Sequence, residues 1–391
     1  MMSEWNEVRL GDLCTFVSRG ITPQYVDEGI LVINQKCIRD NKVDLSLCKF
    51  TSPTQKIKRE KFVQYGDVLV NSTGTGTLGR VATYKHHLDR VSADGHVTIL
   101  HAKCDVDSLY LGYYLHSVEP LIENLGRGTT NQLELSPSDL KRIKIVLPDL
   151  PTQKRIADIL STYDELIENN NRRIALLEKA AQELYKEWFV RFRFPGHETT
   201  KFENGLPVGW DVAKLGSILI LEDTKRVPLS EQQRSGMQPI YPYYGACSIA
   251  GYVDKYIFDG VYLLLSEDGA NVVDENGYPT LQYVWGKFWV NNHAHIISKN
   301  DVYSVEFLHL LLKNTNMQSI VTGAAQPKIS QKRLLNKKVI VPDSKIIQLF
   351  SARIDPIYKV IRYITESNRN IEKQRDLLLP RLMSGKLEVY K

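Results

Sequence analysis

The landmarks of this chain occur twice, in the same order. Trp5-Asn-Glu-Val-Arg-Leu10-Gly11 is answered 205 residues later by Trp210-Asp-Val-Ala-Lys-Leu215-Gly216. KIVLPD at 144–149 is answered by KVIVPD at 338–343, and NRRI at 171–174 by NRNI at 368–371. Order is kept while the offset drifts, as in a duplicated unit whose loops differ in length. The two copies must therefore share one fold.

Each copy has two parts. The first, 1–148 and 209–342, holds short β-type runs separated by turn residues: DVLV, VATY and VTIL in one copy, VYLLL, LQYVW and AHIIS in the other. Short helices are expected around 107–117 and 303–313. The reading is an α+β unit dominated by antiparallel sheet. The second part is a long helix. Over 152–190, Ile156, Leu160, Tyr163, Ile167, Ile174, Leu177, Ala181, Leu184 and Trp188 form a heptad seam. Phe350, Ile354, Ile357, Ile361, Ile364, Asn368, Ile371, Arg375 and Leu378 repeat it. Pro151 suits a first turn, Asp343 or Ser344 a cap. Pro356 is expected to delay the second helix to about residue 357, and Pro380 to kink or end it.

Two such stripes most simply bury each other. The Pro- and Gly-containing linker lets the chain turn back, so an antiparallel coiled coil is expected. Asn368, with Asn170 or Asn171, falls on or near the seam, where a buried Asn sets register. The expected division is 1–150, a central helix 151–190, a linker 191–208, a second globular part 209–343, and a distal helix with tail 344–391.

Residues 71–79, NSTGTGTLG, spell G-x-G-x-x-G at Gly74, Gly76 and Gly79. A dinucleotide site needs a helix next, with the pyrophosphate at its N-terminus. Here RVATYKHH comes next, β-branched and aromatic. A phosphate loop needs Lys and Ser or Thr, where this chain has Arg80 and Val81. The matching stretch of the second copy, LLLSEDGANVV, keeps strand–turn–strand and loses the glycines. A hairpin loop is the expectation.

Enzyme motifs are scarce. Asn/Asp-Pro-Pro-Tyr, Glu-x-Lys and G-x-S-x-G do not occur. His293 and His295 share a strand face but lack a neighbouring carboxylate or Cys at metal spacing, so no metal site is expected. The cysteines at 14, 37, 48, 104 and 247 never form C-x-x-C and suit a reducing cytosol. The N-terminal stretch lacks the apolar core of a signal peptide, and no apolar run reaches the ~20 residues of a membrane span. A cytoplasmic setting without membrane contact is expected. The net charge of +5 fits a polyanionic partner without requiring one.

Three stretches carry a family resemblance: LPDLPTQKRIADILSTYDELIENNNRRIALLEKAAQELYKEWFVRFRFPG, YPYYGACSIAGYVDKYIFDGVYLLLSEDGANVV at 241–273, and NRNIEKQRDLLLPRLMSGKL. The chain resembles the DNA-specificity subunits of type I restriction–modification systems along its whole length. The resemblance implies two target-recognition domains, each reading half of a bipartite double-stranded DNA site. It implies two long helices that set the spacer and dock two methyltransferase (modification) subunits, with motor-nuclease (restriction) subunits joining them. It also implies a non-catalytic chain that binds no cofactor, with S-adenosylmethionine, ATP and Mg2+ on its partners. A coiled-coil scaffold without DNA specificity is the alternative.

Base edges and phosphates call for Arg, Lys, Asn, Gln and small hydroxyls on loops. The candidate DNA contacts of the first copy are Asn71, Thr73, Thr75 and Arg80 in the glycine loop, with Arg127, Asn131 and Gln132 from GRGTTNQLELS. Those of the second are Gln326 and Lys328 from the matching TGAAQPKIS, with Tyr244 and Asn271. Lys56, Lys58, Arg59 and Lys61 form a basic run suited to phosphates or to simple solvation.

Overall fold

The opening and closing landmarks of each copy pair with each other as strands. Asn6–Arg9 runs antiparallel to Lys144–Leu147, with Arg9 opposite Lys144. Asp211–Lys214 runs antiparallel to Lys338–Val341, with Lys214 opposite Lys338. The same ladder thus closes both copies. The computed structural model describes residues 5–128, 133–323 and 325–389. It divides into two units: the chain up to Asn169 together with that from Ser367 onward, and Asn170–Glu366.

In the first unit a four-stranded antiparallel sheet is ordered Val81–Thr83, Val68–Asn71, Val97–Ala102 and Cys14–Arg19. A five-stranded sheet adds one parallel pair, Val91–Ala93 beside Ile30–Ile33. In the second unit a six-stranded sheet is ordered Ile220–Leu221, Ala294–Ser298, Phe258–Ser266, Leu281–Val290, Tyr241–Tyr244 and Ile249–Val253. It too is antiparallel except for one pair, Tyr241–Tyr244 beside Leu281–Val290. The expected short helices are Ser108–Ser117 and Val305–Lys313. Their N-caps Asp107 and Ser304 accept from the backbone N–H groups of Tyr110 and Phe307.

The central helix, Leu150–Tyr185, ends in a π-helical turn, Lys186–Val190. The distal helix is Ser344–Met383. Asp149 and Asp343 receive the backbone N–H groups of Thr152 and Lys345 at 3.1 and 2.8 Å. Within the first unit, Ile156, Ala157 and Leu160 share a core with Leu379, Leu382 and Met383. Within the second, Ala181, Tyr185 and Trp188 share one with Phe350, Ile354 and Tyr358. In the first unit Asp164 meets Arg375 while the earlier Ile156 shares a core with the later Leu382, so the helices run antiparallel there. Asn170 and Asn368 are both buried, as seam positions should be.

One expectation about proline fails. The distal helix runs unbroken through Pro356; it ends at Met383, three residues past Pro380. Pro356 and Ala352 are both exposed, so water can take the carbonyl that loses its partner. Ile354 and Tyr358, on either side of the proline, are buried in the core and hold the helix in place.

Each unit also ties its helices to its sheet through a part-buried polar knot. In the first, Asp164 of the central helix receives Tyr113, Lys85 at 3.2 Å and Arg375 of the distal helix at 2.7 Å. Burial opposes the Asp164 charge. The Lys85 ammonium, the Tyr113 hydroxyl and the Arg375 guanidinium outweigh it, and its pKa sits below the ordinary carboxylate value. In the second, Glu306 receives Tyr283 at 2.6 Å and Arg362 of the distal helix at 2.8 Å.

The aromatic seam should dominate the stability of the second unit. Phe350 lies 4.7 Å from Phe189 and 5.4 Å from Trp188, ring centre to ring centre. Phe350→Ala should cost about 3–5 kcal/mol, read as a fall in denaturation midpoint by tryptophan fluorescence. An unchanged midpoint would contradict this packing.

Candidate nucleic-acid interface

The glycine loop is a hairpin, as its sequence suggests. Val68–Asn71 and Val81–Thr83 pair antiparallel, Val70 opposite Val81. Gly74 has φ +102°, and a Cβ there would sit 2.4 Å from Thr77 Oγ1 and 2.6 Å from Gln35 Oε1. A Cβ on Gly79 would meet the backbone nitrogen of Glu123 at 2.8 Å. These glycines serve a tight turn and a close approach to the short helix Glu119–Glu123.

One frame of hydrogen bonds is built in both units. In the first, Ser72 N–H donates to the His96 carbonyl and Leu135 N–H to the Ser72 carbonyl, both at 2.8 Å. In the second, Glu267 N–H donates to the His293 carbonyl and Ile329 N–H to the Glu267 carbonyl, again at 2.8 Å. Thr73 bridges to Glu134 as Asp268 bridges to Lys328, and Arg127 to Glu134 as Thr322 to Lys328. The side chains repeat the correspondence. Thr73 Oγ1 bonds His96 Nδ1 at 2.8 Å, and Asp268 Oδ1 bonds His293 Nδ1 at 2.7 Å. Arg19 donates to the Leu135 carbonyl, and His295 Nε2 faces the Ile329 carbonyl, each at 2.9 Å.

On this frame the two units carry different chemistry. The first has Ser72 bonded to Thr98 at 2.6 Å, both buried, and an ion pair of Arg19 with Glu134. An open cleft of about 720 Å³ lies beside it, lined by Arg19, Tyr25, Thr73, Asp94, His96 and Glu134 among others. The second has a charged cluster. Glu267 takes Arg226 at 2.7 Å and Lys328 at 3.1 Å, and Asp223 takes His295 at 2.6 Å.

The expected residues divide accordingly. Thr73, Arg127 and Lys328 stand on the frame. Thr75 is exposed at the hairpin tip, and Arg80 closes that loop by donating to the Gly76 carbonyl at 2.7 Å. Asn71 does not reach the surface. It is fully buried, donates to the Gln35 carbonyl at 3.0 Å and anchors the hairpin from beneath. Tyr244 is half-buried against Phe288, whereas Asn271 and Gln326 are exposed. Asn131 and Gln132 lie outside the described residues. Lys56, Lys58 and Arg59 are exposed, and Lys61 donates to the Gly20 carbonyl at 2.6 Å. Sequence reading missed Arg19, Gln35, His96 and Glu134 in one unit and Arg226, Glu267 and Asp268 in the other. The match of LLLSEDGANVV to the glycine loop already sets Asp268 at the position of Thr73, and reading it residue by residue would have found it.

The histidines also need correction. Both have carboxylate partners, drawn from 25 residues away for His293 and 72 for His295. Asp223, Glu267 and His295 lie close enough together to suggest a metal. Their chemistry argues otherwise. Both His295 nitrogens are engaged, and Arg226 and Lys328 already supply the positive charge. Burial works against a charged His295, but the bonds to Asp223 and the Ile329 carbonyl outweigh it and raise its pKa. Against the same opposition from burial, Asp223 is lowered by its His295 bond and Glu267 by its Arg226 bond.

The sequence profile of the type I restriction modification DNA specificity domain matches residues 2–179 and again residues 207–373. Each match takes in one globular part and most of the helix after it. Two sequence-reading modules in one chain define the class of protein. The chain belongs to the type I restriction–modification DNA-specificity family. It is 28% identical over 338 residues to the type I restriction enzyme MjaIX specificity subunit of Methanocaldococcus jannaschii, covering 81% of this chain and 77% of that one. It is 24% identical to the MjaVIII specificity subunit of the same organism, over 99% and 93% of the two chains. The fold matches the crystal structure of a type I S subunit from M. genitalium with a TM-score of 0.59 at 18% identity, over 97% and 96% of the chains.

The charged cluster predicts a pH response of the second unit. The His295 contribution is present below its ordinary value of 6.5 and is lost as pH rises through its raised value. The carboxylate contributions are present above 3.8 and 4.5 and are lost as pH falls through their lowered values. The cluster is therefore strongest between those limits. NMR titration should place His295 above 6.5. His295→Gln should remove the alkaline loss and cost about 3–5 kcal/mol as a broken buried pair. A midpoint below 6.5 would contradict the raised value.

Proposed function

We propose that each unit reads one half of a bipartite, asymmetric double-stranded DNA target through the loops on its hydrogen-bond frame. The observation that carries this is the frame itself: identical backbone bonds, with different polar side chains mounted on them. A fixed scaffold with exchanged donors and acceptors is what two different base sequences require of one fold. The two long helices set the spacer between half-sites and offer docking surfaces to two methyltransferase subunits, with motor-nuclease subunits joining the assembly. This chain contributes recognition, and methyl transfer and cleavage belong to those partners, which hold S-adenosylmethionine, ATP and Mg2+. The site of action is the cytoplasm. Among the described residues no helix is long and apolar enough to cross a membrane.

Exchange of residues 1–148 for those of a relative with another target tests the reading. Mapping of methylated sites in the host should show one half of the motif replaced, with the other half and the spacer unchanged. Change in both halves, or in neither, would refute it. DNA binding by the assembled complex should also weaken steeply with salt, because each neutralised phosphate releases counterion. The alternative scaffold reading predicts no such dependence.

A further inference from the structure

We infer that residues Glu134 and Lys328, which occupy the same position of the repeated frame with opposite charge, are a specificity-determining pair: Lys328 selects guanine in the half-site of its unit, and Glu134 selects a base that offers an amino donor, cytosine or adenine, in the other. The inference rests on the DNA-reading function proposed above.

The positional identity stands on the same pair of bridges and the same flanking bonds in both units. Each residue bridges to the second residue after the strand, Thr73 or Asp268, and to the start of its own segment, Arg127 or Thr322. Each is followed by a buried residue, Leu135 or Ile329, whose N–H closes on the Ser72 or Glu267 carbonyl at 2.8 Å. The residue that each one bridges, Thr73 or Asp268, bonds an imidazole, His96 or His293. Each is held by one core-proximal ion, Arg19 or Glu267.

Both side chains remain about half open to solvent, 58% for Glu134 and 48% for Lys328. The ion beneath each is more enclosed, 28% for Arg19 and 12% for Glu267. The inner ion orients the outer one and leaves part of it facing outward. A carboxylate accepts hydrogen bonds only, and an ammonium donates only. In the major groove the donors are the amino groups of cytosine and adenine, while guanine presents two acceptors, O6 and N7. Swapping the sign at a fixed backbone position therefore swaps the class of base that fits, with no change to the fold.

The variants Lys328→Gln, Lys328→Arg and Glu134→Gln test this in the native host, with modified sites read across the genome. Lys328→Gln should relax one guanine of one half-site by roughly ten- to hundredfold, the value of a good base contact, and leave the other half-site intact. Lys328→Arg keeps the donors and should keep that guanine. Glu134→Gln should relax one position of the other half-site alone. A lower level of modification with the motif unchanged would make these residues phosphate contacts, and an unchanged motif at an unchanged level would make them structural tethers. Either result overturns the inference while leaving bipartite reading in place. Loss of modification in Lys328→Arg as well as Lys328→Gln would also overturn it, because a retained charge would then not restore reading. A wild-type motif without two half-sites would instead refute the broader function.

Discussion

An amphipathic helix of about ten turns cannot leave its apolar stripe in water, and this chain contains two. One core in each unit covers them. In each unit the apolar faces of both helices join the interior of the α+β domain, so helix pairing and domain core are one hydrophobic cluster. The consequence is that neither unit ends where its helix begins. The division falls inside both helices, between Asn169 and Asn170 and between Glu366 and Ser367. Buried area then supplies most of the stability, at about 25 cal/mol per Å², and the polar knots at Asp164 and Glu306 fix how each helix sits on its domain.

Much of the fold was legible because duplication and heptad spacing are global signals. Two copies of a weak pattern reinforce each other, and Trp5/Trp210 or KIVLPD/KVIVPD need no knowledge of contacts. The central helix was read nearly to its ends for the same reason. Pro356 misled because propensity is local, whereas the helix around it is held by Ile354 and Tyr358 in the core. The parallel strand pairs escaped notice because a pairing direction is decided by crossovers that no short run encodes.

The site was less legible, and the reason is physical. A polar side chain acquires its role from its partner, and the partners here come from other strands. Asn71 looks like a loop residue by type, yet strand pairing and the Gln35 carbonyl bury it. His293 and His295 looked unpartnered because Asp268 and Asp223 lie far away in sequence. The glycine motif is the opposite case. Its immediate neighbours settled its meaning, since β-branched residues after Gly79 cannot supply the helix that a nucleotide phosphate needs.

The two frames also differ in how they hold their shape, and this bears on how such units diverge. The first unit rests on a buried hydroxyl pair, Ser72 with Thr98, where the second places Glu267 and His295 within a cluster of five charged groups. A neutral pair can be exchanged for another neutral pair at small cost. A buried charge cannot be changed singly, because its partner is then stranded. The second unit is accordingly constrained beneath its frame and free on top of it, where Asn271 and Gln326 are exposed. Beneath the first frame the buried pair is neutral, and the ion Arg19 holds Glu134. Change in base preference should therefore run through exposed loop positions in the second unit, and through exposed and buried positions alike in the first.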